Sequence, residues 1–132
     1  MRVLVLTIFF LFYLSGCASN INNEASTLLI GKWNSDSVTS DNVRVLMDVE
    51  YLANGTCDTH IVYINTQGQK ISYYLSEYWS VENNKINYKV FKSSNPDLIG
   101  GGSSVEIISI DKNSIKVKSS STGHISELKR KL

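Results

Sequence analysis

The chain has 132 residues, with 13 Lys and Arg against 12 Asp and Glu and a formal net charge of +1. That length supports one domain with one modest core, and the balanced charge removes the electrostatic footprint of a nucleic-acid binder. The closing run Lys129-Arg130-Lys131 is too small to track phosphates and reads as a solvated terminus.

The N-terminus starts on Met1-Arg2 and continues with a charge-free apolar run from Val3 to Leu14. A spanning helix needs about 20 apolar residues, so this run is too short to cross a hydrocarbon core. A positive start, a short apolar stretch and small residues after it are the parts of a secretory signal peptide. The run ends Leu14-Ser15-Gly16-Cys17. This resembles the lipobox of bacterial lipoproteins, in which the peptide is cut before the Cys, here between Gly16 and Cys17. The resemblance implies a diacylglycerated Cys17 thiol and an acylated new amine. Two or more acyl chains hold a protein firmly to a bilayer. Residues 1–16 are therefore expected to be a signal peptide. Loss of Arg2 with it leaves a mature charge near zero.

After Cys17, Ala18 to Thr27 is polar and reads as a flexible tether, with a helical turn allowed near Leu28 to Ile30. From Gly31 the pattern is β. A first strand runs from Gly31 to Val38. Val43, Val45, Met47, Val49 and Tyr51 then alternate with polar neighbours, the period of a half-buried strand. Asn54-Gly55 signals a hairpin turn. Thr56 to Asn65 follows, then a turn at Gln67-Gly68-Gln69. Lys70 to Val81 puts Ile71, Tyr73, Leu75, Trp79 and Val81 on one face, with Glu77 as the exception. Glu82-Asn83-Asn84 turns into Ile86, Tyr88 and Val90. Ser93 to Ser103 is a long loop with Gly100-Gly101-Gly102. Three strands close the chain: Ser104 to Ile110, Ser114 to Ser119 and His124 to Lys131. The expected fold class is all-β: a small antiparallel up-and-down barrel of eight strands, because closure removes the sheet edges. Such a barrel can be filled by side chains or hold one small ligand.

Gly31-Lys32-Trp33 resembles the opening Gly-x-Trp of lipocalins and their short bacterial lipocalin-like relatives. Asn54-Gly55-Thr56, Tyr78-Trp79-Ser80-Val81 and the hairpin from Val105 to Val117 follow in the order those domains show. The resemblance covers Leu28 to Arg130. It implies that Trp33 packs across a closed end beneath a basic residue of the last strand, with Arg130 matching and Lys129 as the other candidate. The Thr-Asp-Tyr motif of true lipocalins is absent. The domain division is thus 1–16 signal peptide, 17–27 lipidated Cys and tether, 28–132 lipocalin-like barrel.

Catalytic groupings are missing. There is no Gly-x-Ser-x-Gly, His-Glu-x-x-His, Cys-x-x-Cys or phosphate loop, so no enzyme and no cofactor are expected. With Cys17 taken by lipid, Cys57 has no disulfide partner and reads as a small buried strand residue. Asp58 and His60 share one strand face, opposite to Cys57. They supply two metal ligands without a third, so no metal site is expected. Tyr74 and Tyr78 share the face opposite to Tyr73 and Trp79 and form a candidate contact surface.

The function expected is a lipid-anchored, lipocalin-like lipoprotein of the cell envelope that takes a small apolar or amphipathic ligand. The alternative is a protein-interaction module without a cavity: a secretion accessory, an immunity protein or an inhibitor of a wall-degrading enzyme. Partners are then the membrane, through the lipid, and a small ligand or an envelope protein. Ala18 after Cys17, where an Asp would favour inner-membrane retention, points to the outer membrane facing the periplasm.

Overall fold

Period-two alternation becomes eight antiparallel strands joined in sequence and closed into one barrel, β1 to β8. The computed structural model describes residues 18–132. The expected signal peptide, the cleavage point at Gly16 and the lipid site at Cys17 lie outside the described residues. The strands are β1 Gly31–Val38, β2 Arg44–Tyr51, β3 Thr56–Ile64, β4 Lys70–Glu82, β5 Lys85–Ser93, β6 Gly102–Ile110, β7 Ser114–Ser119 and β8 Ile125–Arg130. Every predicted strand is present, and the up-and-down order is the one expected.

The turns follow from their residues. In the β2–β3 hairpin Gly55 has φ +84°, and the Asn54 Oδ1 accepts from the Thr56 backbone N–H at 3.0 Å and its hydroxyl at 2.7 Å. Asn83 and Asn84 both have positive φ, 50° and 61°. That conformation is the one a tight two-residue hairpin needs to match strand twist, and Asn tolerates it. Two bulges break the simple alternation. Phe91 is the extra residue where β5 pairs β4, and Ile108 is the extra residue where β6 pairs β7. Each bulge turns its apolar side chain outward, and both are exposed.

Closure is narrow. β1 meets β8 through the pairs Trp33–Arg130 and Asn34–Lys129, with the Lys131 N–H adding a bond to the Lys32 carbonyl at 2.8 Å. The fully buried side chains Trp33, Leu29, Ile86, Ile115 and Cys57 gather toward one end of the barrel. That end holds the start of β1 and the ends of β2 and β8. The opposite end, where Val38, Tyr63 and Ile71 stand exposed, is the mouth.

The segment expected to be a flexible tether is instead α1, Ala18–Leu29. Its composition is poor for a helix, and tertiary burial supplies the stability that propensity does not. Ala25 and Leu29, four residues apart on one face, are both buried in the core cluster, and α1 packs against β4. The helix ends at Leu29, one residue before Ile30, so the allowed turn near Leu28 to Ile30 is the last turn of a longer element.

Candidate functional site

The closed end is built by Gly31, Trp33 and Arg130. The last carbonyls of a helix have no partner within it, and here side chains from the two closing strands supply them. The Trp33 indole N–H donates to the Leu29 carbonyl at 2.7 Å. The Arg130 guanidinium donates to the carbonyls of Leu28 at 2.5 Å, Ile30 at 3.0 Å and, from Nε, Lys112 at 2.6 Å. Its carbon lies over the Trp33 ring, 4.2 Å from the centre, within cation–π range. Gly31, at φ +129°, leaves the room this needs: a Cβ there would stand 2.4 Å from the Arg130 Nη1. Of the two basic candidates Arg130 takes the place. Lys129 points outward and pairs with Glu127 at 2.5 Å.

Above this floor the barrel is hollow. Its interior encloses about 390 Å³ between β2, β3, β4 and β5 on one side and β6, β7 and β8 on the other, within the range of small-molecule sites. Val45, Met47, Ile61, Leu75, Val105 and Val117 give it an apolar wall. A second hollow of about 570 Å³ lies between β3, β4 and the loop before β6, and shares Ile61, Tyr63, Leu75, Glu77 and Ser103 with the first. Glu77 therefore stands where the two join.

Glu77 is the inward-facing charge that interrupts the apolar face of β4, and it is only 8% exposed. The β3–β4 register sets it opposite Cys57. The Thr59 hydroxyl donates to its Oε2 at 3.3 Å, and the Cys57 thiol lies 3.8 Å from the same oxygen. Burial pushes the Glu77 carboxyl above the ordinary range, and the two hydrogen bonds only partly offset this. Burial, then the charge of Glu77, pushes the Cys57 thiol up to about 12. A thiol so protonated is inert, since the thiolate is the reactive form. Deeper in, the Tyr51 and Tyr88 hydroxyls share a hydrogen bond at 2.5 Å, and Tyr51 meets Trp79 edge to face at 5.4 Å. Burial raises both phenols.

Tyr74 and Tyr78 lie on the outer face, 60% and 55% exposed. Tyr74 stacks flat on His60 at 4.2 Å, and Tyr78 packs on Phe91 at 4.5 Å. Asp58 accepts a hydrogen bond from the Ser76 hydroxyl at 2.7 Å. Among the described residues no group of three His, Cys, Asp or Glu side chains is placed to hold a metal. The residue that sequence reasoning passed over is Glu77. Its signal was present as the one charge on an otherwise apolar strand face.

A lipocalin-like protein from Bacteroides uniformis has the same architecture, with a TM-score of 0.51, 14% identity, and coverage of 79% of this chain and 99% of that one. An uncharacterized protein from Bacteroides eggerthii aligns at TM-score 0.48 and 9% identity, over 78% of this chain and 99% of its own. A de novo designed fluorescence-activating β-barrel aligns at 0.47 and 17%, over 81% and 97%. No family model matches the chain, and no curated protein does. The fold is thus a lipocalin-like β-barrel; at such identity the likeness carries fold alone.

Proposed function

We propose that this protein is a lipid-anchored ligand carrier or sensor of the bacterial envelope, which holds one small apolar or amphipathic molecule inside the barrel. The observation that carries this reading is the hollow of about 390 Å³, largely apolar on its walls and lined toward the closed end by Ile86, Ile115 and Leu128. A domain this small gains from a filled core, so a hollow of that size is a feature whose use is a ligand. Solvent extraction of the purified intact protein, followed by mass spectrometry, tests this. One small molecule in stoichiometric amount is expected; none recovered in repeated preparations overturns the carrier reading.

The anchor is part of the proposal. The Leu14-Ser15-Gly16-Cys17 sequence supports lipid on Cys17, and Ala18 in place of an Asp after it supports an outer-membrane address facing the periplasm. Changing Cys17 to Ser should leave an uncleaved or unanchored product, and unchanged membrane fractionation and mass would refute it. A second reading, a docking module for an envelope protein, draws on the exposed pairs Tyr74–His60 and Tyr78–Phe91. Crosslinking in intact cells separates the two, since a carrier gives no reproducible partner through Tyr74 or Tyr78.

A further inference from the structure

We infer that the barrel selects an apolar amine, with its ammonium group held by the Oε1 of Glu77. The inference rests on the carrier reading and names the ligand class of the same cavity.

Glu77 is buried at the junction of the two hollows. Its Oε2 takes both contacts from the protein, the Thr59 hydroxyl and the Cys57 thiol. Among the described residues Oε1 has no hydrogen-bond partner. That oxygen is open to the hollow rather than sealed in the core, so a donor brought by a ligand can reach it. Neither lining contains a Lys or an Arg. Thus no protein cation completes the pair, and a ligand that brings one does.

The surroundings fit an ammonium on an apolar body. Ile61, Leu75 and Val90 receive hydrocarbon. The Tyr63 and Tyr73 rings, edge to face at 6.0 Å, line the approach to Glu77, and aromatic faces attract a desolvated cation. The same arrangement rejects a fatty acid. Its carboxylate would meet the like charge of Glu77 with no basic residue to bind it, and such mismatches discriminate strongly.

The test compares three probes of one chain length, n-octylamine, 1-octanol and octanoate, by calorimetric titration of the intact chain held in amphipol at pH 7. The Glu77→Gln and Thr59→Val variants in the same amphipol remove the contribution of partition. Octylamine should bind at least about tenfold tighter than octanol, a difference of about 1.4 kcal/mol, and octanoate weakest. Glu77→Gln should bring amine and alcohol within about threefold of each other, while Thr59→Val keeps the amine preference. If all three probes bind alike, the carrier reading stands and the amine inference falls. If none binds, both fall. Octanoate binding as tightly as octylamine to the wild type overturns the inference whether or not Glu77→Gln folds, and so does an amine preference that survives in a folded Glu77→Gln chain.

Discussion

The Arg130 guanidinium carbon lies 4.2 Å from the centre of the Trp33 ring, and the two side chains between them cap the carbonyls of Leu28, Leu29 and Ile30. The pair Trp33 and Arg130, with Asn34–Lys129 beside it, thereby both closes the barrel and ends the helix that leads into it. Barrel closure and helix capping are one structure.

Arg130→Ala should therefore cost about 2–3 kcal/mol, since hydrogen bonds to a charged group contribute roughly 1.5–3 kcal/mol and some of the freed carbonyls regain water. Arg130→Lys should recover little, because a point charge cannot serve three carbonyls and stack on a ring. Urea denaturation measures the loss, and hydrogen exchange in α1 should rise with it. A change below about 0.5 kcal/mol, the range of an ordinary surface substitution, would show that the cap contributes nothing.

Glu77 sets a pH dependence. Burial raises its carboxyl above the unfolded value. The protonated form is then the one the fold favours. Its stability contribution is whole below the unfolded pKa, about 4.3, and is lost as pH rises through the folded value. Glu77→Gln, which cannot ionise, should melt above wild type at pH 7, with the gap closing toward pH 4. Melting curves across that range decide it. A gap that is constant or grows on acidification contradicts the assignment.

Cys57 should be silent. Its thiol is fully buried and pushed up to about 12, so an alkylating reagent at pH 8 should label it at least about tenfold more slowly in the native protein than in the urea-unfolded chain. Peptide mapping by mass spectrometry follows that one site. Equal rates would mean that the floor of the barrel opens readily.

The strands were legible because one buried face imposes period two over their whole length, and a slip by one residue would turn each apolar set outward. Gly31, Trp33 and Arg130 were legible as a spaced motif. The helix was not, because among its described side chains only Ala25 and Leu29 are buried, and part of its cap comes from Arg130, a hundred residues along the chain. Phe91 and Ile108 were hidden by bulges, which no local pattern announced. Glu77 was visible as an exception, but its meaning needed the β3–β4 register that sets it beside Cys57 and Thr59.

The claim on which the function turns is that the hollow is real and takes a ligand. Titration with N-phenyl-1-naphthylamine, a neutral probe that fluoresces in apolar surroundings, reads it directly. The comparison is between wild type and Ile61→Trp, a larger side chain on the shared wall of the two hollows. A saturable one-to-one rise in wild type, lost in an Ile61→Trp protein that still melts cooperatively, is the expected result. No saturable rise, or an equal rise in both proteins, would contradict a ligand-holding barrel.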